Sequence, residues 1–168
     1  MSDYINDSIR VYVGCLASYN NGQHHGEWID LEEYALDDFY EKVDEILKNS
    51  PADNAEEWEI FATEGLPKNY CENIEEFYEV VEIKRDCDEN VFNAAMNLAK
   101  SNSIYVLKSY IDNFIGFYDS ETDFAEEIFN DCEQCPDRLR PYIDFELYAR
   151  DLFYDYEYCE KTGAVFAN

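Results

Sequence analysis

The hydrophobic and polar positions in three short segments of the N-terminal part of the chain are typical of β-strands. Residues 9–16 are rich in β-branched and aromatic side chains, and residues 27–31 return after the turn signal Tyr19-Asn20-Asn21-Gly22. The third strand is predicted at residues 58–63. Between the second and third strands, apolar side chains recur at helical spacing, which predicts a helix over residues 37–48.

The middle of the chain has a helical pattern. Apolar residues repeat at helical spacing over residues 74–81 and again over residues 91–99, and residues 84–88 form the predicted connection. Residues 104–118 are predominantly apolar and aromatic. Their periodicity allows either a helix that ends in a strand or one continuous helix.

The C-terminal part contains clear boundary signals. Ser120-Glu121-Thr122-Asp123 resembles a capping box, which predicts that a helix follows from Phe124. Residues 136–141 form a predicted connection and residues 142–152 a further helix. Residues 156–166 have the pattern of a hairpin.

Together these elements predict an α+β fold, arranged as an elongated chain of three small modules. Residues 1–61 form an N-terminal module with a β-sheet and a helix, and residues 62–103 form a helical central module. Residues 104–168 form a C-terminal α+β module. The chain length is compatible with one domain or with several small ones.

The charge balance changes this picture from an ordinary domain to an unusual one. The 168 residues include 39 Asp and Glu against 12 Lys and Arg, so the net charge is −27. The hydrophobic fraction of 46% and the aromatic fraction of 17% indicate a folded protein rather than a disordered acidic tail. Because a phosphate backbone would repel such a surface, direct binding of nucleic acid is excluded and a basic partner is favoured.

The amount of charge is comparable to that of duplex DNA of similar length. Duplex DNA carries a charge about every 1.7 Å, so a net charge of −27 matches roughly 46 Å of duplex. A compact chain of this size is about 40 Å across. Self-repulsion favours an elongated arrangement of modules. The acidity is therefore interpreted as carboxylates that imitate phosphates, against the alternative that it serves only solubility.

No segment indicates export, a membrane or oxidised cysteines. Residues 1–7 lack the positive flank and apolar stretch of a signal peptide, and no run approaches the length of a membrane span. The expected location is the cytoplasm, with no membrane partner. There the six cysteines should stay reduced; they are Cys15, Cys71, Cys87, Cys132, Cys135 and Cys159.

The sequence offers no convincing metal or catalytic site. Residues 86–90 begin like a calcium loop, but Val91 and Asn97 occupy the positions that require Gly and Glu. Residues 132–135 form a lone CxxC, and His24 and His25 are adjacent residues of a turn. No GxSxG, Walker or GxGxxG motif is present. We therefore expect no cofactor, no metal, no catalytic residue and no enzymatic activity.

Three stretches carry a resemblance to a known family. They are Arg10-Val11-Tyr12-Val13-Gly14 with the following Gly26-Glu27-Trp28-Ile29-Asp30, then Phe117-Tyr118-Asp119-Ser120, and most clearly the segment from Leu139 to Leu152. This last segment, LRPYIDFELYARDL, resembles the antirestriction motif of the ArdA proteins. The resemblance spans most of the chain in the family's order.

The resemblance implies a DNA mimic encoded by a mobile genetic element. ArdA proteins inhibit type I restriction-modification enzymes by filling the DNA-binding groove of the methyltransferase and specificity subunits. They form elongated homodimers of three-domain chains joined through the C-terminal domain. For this chain the resemblance therefore implies a homodimer with its contact in residues 104–168.

Under this hypothesis the phosphate mimics are carboxylates on exposed helix faces. The predicted set is Asp37, Asp38, Glu41, Asp44, Glu45, Glu72, Glu75, Glu76, Glu79, Glu82, Asp123, Glu126 and Glu127. Glu75, Glu79 and Glu82 share one helix face because they are three and four residues apart. Since many carboxylates share the work, neutralising one should have little effect.

The motif residues have a different predicted role. Tyr142, Phe145, Tyr148 and Leu152 are expected in the core or the dimer contact, and Arg150 is expected to form an ion pair within the group Asp144, Glu146 and Asp151. The alternative function is an acidic inhibitor or adaptor of another basic DNA-binding protein. An enzyme with a carboxylate site ranks third.

Overall fold

The computed structural model describes residues 8–67, 69–99, 103–132 and 134–168, and the α+β prediction is confirmed. Residues 1–7, on which the prediction about a signal peptide depends, lie outside the described residues. The described chain divides into two compact units. Unit 1 runs to Asp86 and includes residues 103–104, while unit 2 contains residues 87–99 and 105–168. The three-module boundaries stay a prediction.

Unit 1 is built around a three-stranded antiparallel sheet in which β1 is the central strand. The order is β2-β1-β3, with Val11 opposite Ile29 on one side and Thr63 on the other. The three predicted strands and the helix over residues 37–48 are confirmed. The elements are β1 (Arg10–Cys15), α1 (Leu16–Asn20), β2 (Gly26–Asp30), α2 (Leu36–Lys48), β3 (Trp58–Glu64) and α3 (Ile74–Asp86).

The core of unit 1 lies on one face of this sheet. Val11 and Val13 alternate along β1 and are fully buried, and α2 contributes Phe39, Val43 and Ile46. Full burial of each such side chain is worth about 1.5–3 kcal/mol, so the apolar stripe of α2 fixes which face of that helix stays in water.

Helix α3 extends further than the sequence pattern predicted. Residues 84–86 continue the helix, so the predicted connection over 84–88 shrinks to two residues. Basic residues are favourable in the last turn of a helix, where Lys84 and Arg85 lie. Lys84 also contacts the Glu32 carboxylate at 2.6 Å, which ties the end of α3 to the turn after β2.

Unit 2 contains a second three-stranded antiparallel sheet, in the order β4-β6-β5. Residues 104–118 form a helix followed by a strand, which decides between the two alternatives that the sequence left open. The predicted C-terminal hairpin is confirmed. The elements are α4 (Glu89–Leu98), α5 (Ile104–Asp112), β4 (Phe114–Phe117), α6 (Glu121–Cys132), α7 (Phe145–Leu152), β5 (Tyr156–Cys159) and β6 (Ala164–Ala167).

Aromatic rings fill the core of unit 2. Phe124 of α6 is fully buried, and its ring centroid lies 4.9 Å from that of Tyr118 and 5.0 Å from that of Tyr156. Phe129 packs α6 against α7 through edge contacts with Phe145 and Tyr148, at 5.4 and 5.6 Å. These contacts hold the outer face of α6 toward water.

Candidate functional site

The outer face of α2 carries the first group of predicted carboxylates. Asp37, Asp38, Glu41, Asp44 and Glu45 are all exposed, opposite the buried stripe of the same helix. Two of them have local roles. The Asp38 carboxylate accepts the Ala35 backbone N–H at 3.3 Å, and the Glu45 carboxylate lies 3.1 Å from the Lys42 ammonium. The hydrogen bond and charge of Glu45 raise the pKa of Lys42 above its ordinary value.

The second group lies on α3 and the residues before it. Ile74, Phe77, Val80 and Val81 are buried, which leaves the opposite face of α3 in water. On this face Glu75, Glu79 and Glu82 are exposed, and Glu72 before the helix is exposed too. Glu76 is half-buried, and its carboxylate accepts the Glu72 backbone N–H at 2.7 Å. The Glu76 carboxylate therefore stabilises the start of α3 and is less available to a partner than an unpaired carboxylate.

The third group lies on α6. Asp123, Glu126 and Glu127 are exposed, while Phe124 and Ala125 between them are fully buried. The predicted cap is present, because Ser120 Oγ accepts the Asp123 N–H at 3.1 Å and donates to the Asp123 carboxylate at 2.7 Å.

Glu127 accepts a hydrogen bond from the Tyr118 hydroxyl at 3.0 Å. Burial, followed by this carboxylate, raises the pKa of Tyr118 above its ordinary value. The bond holds the Glu127 side chain beside the Tyr118 hydroxyl.

Only some of these carboxylates are free to meet a partner. The hydrogen bonds and ion pairs above engage Asp38, Glu45, Glu76, Asp123 and Glu127, and Glu75 accepts from the Tyr40 hydroxyl at 3.2 Å. Others make no hydrogen bond or ion pair with a described residue. These are Asp37, Glu41, Asp44, Glu72, Glu82 and Glu126. Sequence spacing predicts exposure, but it cannot separate these from the engaged ones.

The motif segment folds differently at its start from the prediction. The helix predicted from Tyr142 begins at Phe145, and residues 140–142 form a 3-10 turn. The Asp144 carboxylate accepts the Leu147 N–H at 3.0 Å, which sets the helix start. Tyr142 is 83% exposed and so lies outside the core of the described chain.

The other motif residues divide between packing and surface. Phe145 and Tyr148 pack on α6, and Leu152 is half-buried. The Arg150 guanidinium pairs with the Asp151 carboxylate at 2.9 Å, whereas Asp144 is the helix cap and Glu146 is exposed. Leu147, which sequence reasoning did not single out, is 47% exposed.

The candidate metal motifs of the sequence are the calcium-like segment, the CxxC and the histidine pair. In the calcium-like segment, the Asp88 carboxylate caps α4 by accepting the Asn90 N–H at 2.8 Å. All six cysteines are free thiols, with Cys132 exposed and Cys135 half-buried. His25 Nε2 bonds the Ile46 carbonyl at 2.8 Å. Within the described ranges, no cluster of three or more His, Cys, Asp or Glu could hold a metal ion.

A groove in unit 1 was missed by sequence reasoning. It has a volume of about 420 Å³ and is lined by Tyr40, Trp58, Glu59, Glu72 and Glu75, among others. The signal available in the sequence was the aromatic residue beside acid in Trp58-Glu59, but no periodicity connects β3 with the segment before α3. Only the fold brings these residues together.

The chain matches a known protein family. A family model described as antirestriction protein (ArdA) matches residues 11–166 of the 168. It therefore covers both units, including the motif segment. No curated protein matches the chain significantly. In the part of the chain that the structure describes, no helix is long and apolar enough to cross a membrane.

Proposed function

Because the chain belongs to the ArdA family of antirestriction proteins, we propose that it inhibits type I restriction-modification enzymes as a DNA mimic. Its carboxylates occupy the DNA-binding groove formed by the methyltransferase and specificity subunits. Its partner is the basic groove and not nucleic acid itself, since the chain carries a net charge of −27.

The observation that carries this proposal is the one-sided placement of charge on three helices. On α2, α3 and α6 one face carries the buried apolar side chains and the other carries carboxylates. Five of these carboxylates, and Glu72 just before α3, make no hydrogen bond or ion pair with a described residue. A carboxylate that already has a partner gains less from a target Lys or Arg. The unengaged residues are therefore the strongest candidates for phosphate mimics.

The spacing of the carboxylates along α3 supports the same interpretation. A helix rises about 1.5 Å per residue, so Glu75, Glu79 and Glu82 are separated by roughly 6 and 4.5 Å along the axis. One strand of duplex DNA carries a phosphate about every 3.4 Å. The carboxylates of α3 thus provide a charge density of the same order as a DNA strand.

Assembly as a homodimer through unit 2 is the second part of the proposal. β4 is an edge strand without a charged residue, and its Ile115 and Phe117 are 41% and 47% exposed. Unprotected apolar edges pair with other chains. Tyr142 and Leu147 of the motif segment add exposed apolar surface in the same unit.

The test is displacement of a fluorescent cognate duplex from a type I methyltransferase assembled with its specificity subunit. We expect displacement at near-stoichiometric amounts, weakened at higher salt because the contacts are ionic. A matched acidic protein of unrelated fold should not displace the duplex. Displacement by both proteins would mean that net charge alone explains the effect. Displacement by neither would favour the alternative that the target is another basic DNA-binding protein.

Substitution should show that the contacts are distributed. Changing Glu41 to Gln alone is expected to alter the displacement midpoint by less than about twofold, as for a single exposed ion pair. Neutralising Asp37, Glu41, Asp44, Glu82 and Glu126 together should weaken it by more than about tenfold. Collapse on one substitution in a folded protein would contradict distributed mimicry.

A further inference from the structure

We infer that the groove between β3 and the start of α3 in unit 1 is a receptor for an arginine side chain of the target protein. Aromatic rings and carboxylates line the same groove, which combines the two features that recognise a guanidinium group. This inference rests on the proposed function and deepens it, because it adds a shaped contact to a distributed charge.

The aromatic wall consists of Tyr40 and Trp58. Their ring centroids lie 6.4 Å apart with the rings at 71°, and Tyr40 is 39% exposed. Trp58 is half-buried and is supported by the buried Phe39, whose ring centroid lies 5.6 Å away. A supported, partly exposed indole offers a fixed face on which a planar cation can stack.

The acidic wall consists of Glu72 and Glu75. The Tyr40 hydroxyl donates to the Glu75 carboxylate at 3.2 Å, which fixes one acid beside the aromatic wall. The Glu72 carboxylate is exposed and makes no hydrogen bond or ion pair with a described residue. Glu59 also borders the groove, but it follows Trp58 directly along β3, so its side chain points to the other face of the sheet. Glu72, together with the remaining acceptor positions of Glu75, can accept hydrogen bonds from a guanidinium.

The charge of the groove selects a cationic occupant. No Lys or Arg is among the described residues that line it. Arginine fits better than lysine because its planar group can stack on a ring and donate several hydrogen bonds in the same plane. The groove is open, so the side chain can enter from a protein surface.

Trp28 provides a control within the same unit. It is 43% exposed, comparable to Tyr40 of the groove, but the Arg10 guanidinium of the same chain already lies 5.9 Å from its ring centroid. Its position is therefore occupied by an internal cation. An added guanidinium compound should bind at Trp58 and not at Trp28.

The direct test uses arginine amide as the probe and the neutral citrulline amide as its matched control. Titration of the full chain, followed by NMR of the two Trp indole N–H signals, should shift the Trp58 signal with arginine amide alone. A Trp28→Phe variant assigns the signals. Equal shifts with citrulline amide, or no shift at Trp58 in the folded protein, would overturn the inference.

The functional test uses duplex displacement. Trp58→Leu should weaken displacement about tenfold, as for a hot-spot aromatic residue, whereas Trp28→Leu should change it less than about twofold. Because Trp58 also contacts Phe39, Glu72→Gln is the second variant; it should weaken displacement about threefold, while Glu33→Gln at another exposed position should not.

The two failures are distinguishable. If the wild-type protein displaces the duplex and both groove variants equal it, the groove inference fails and the proposed function stands. If the wild-type protein does not displace the duplex but Trp58 responds to arginine amide, the proposed function fails and the groove remains a guanidinium receptor.

Discussion

Two tyrosines of unit 1 show how position decides what one hydroxyl group contributes. Tyr70 is 4% exposed, and its hydroxyl has no hydrogen-bond partner in the described chain. The Tyr78 hydroxyl donates to the Tyr34 carbonyl at 3.0 Å. Burial raises the pKa of both tyrosines from 10.0 to about 12, with the charge of Asp38 adding to the effect at Tyr78.

This pair predicts an alkaline loss of stability. A folded-state pKa above the unfolded value means that the folded state holds the proton more tightly. The stabilisation is complete below pH 10 and is lost as pH rises through about 12. We expect the free energy of unfolding, measured by urea denaturation, to fall across this range, and to fall less in Tyr70→Phe and Tyr78→Phe.

Neutral pH gives the control for this prediction. There Tyr70→Phe should gain about 1 kcal/mol, because it removes a buried hydroxyl without a partner, and Tyr78→Phe should lose about 1 kcal/mol with its hydrogen bond. Equal effects at the two positions would contradict the assigned environments. An unchanged alkaline slope in both variants would contradict the role of the tyrosines.

At the scale of single elements, the sequence predicts helices and strands well and their ends less well. Periodicity identified α2 because its buried stripe is regular, and the acids between the apolar positions had to face water. The start of α7 was missed because it depends on the Asp144 cap and not on apolar spacing. The groove at Trp58 was missed because it joins elements distant in sequence.

The edge strand β4 is predicted to form the dimer contact. Ile115→Lys places a charge on the exposed edge of the unit 2 sheet, and we expect it to shift the protein from dimer to monomer in sedimentation velocity experiments. Ala62→Lys, at an exposed position of the edge strand β3, is the matched control and should leave the dimer intact. A dimer that survives Ile115→Lys would place the contact elsewhere.

At the scale of the whole molecule, acid greatly exceeds base. The chain has 12 Lys and Arg against 39 Asp and Glu, and several of the bases are engaged in ion pairs such as Arg10 with Glu64. The excess charge opposes folding through self-repulsion. A dimer would double the net charge of −27 and match roughly 92 Å of duplex.

Salt should therefore stabilise this protein. Raising the salt concentration from about 0.02 to about 0.5 M shortens the screening length well below 10 Å. We expect the melting temperature to rise by about 2–4 °C, which corresponds to about 1 kcal/mol for a protein of this size. A melting temperature that falls with salt would mean that ion pairs outweigh repulsion.

The acids at the edges of the N-terminal sheet have a further consequence. Both outer strands, β2 and β3, carry exposed carboxylates, including Glu27, Glu59 and Glu64. An unpaired edge without charge is a template for aggregation, and these side chains keep identical copies from adding strand to strand. A variant in which all these edge carboxylates are neutralised should therefore precipitate, so it could not serve as an inactive control protein. Solubility limits how far the acidity of this sheet can be reduced, whatever partner the protein meets.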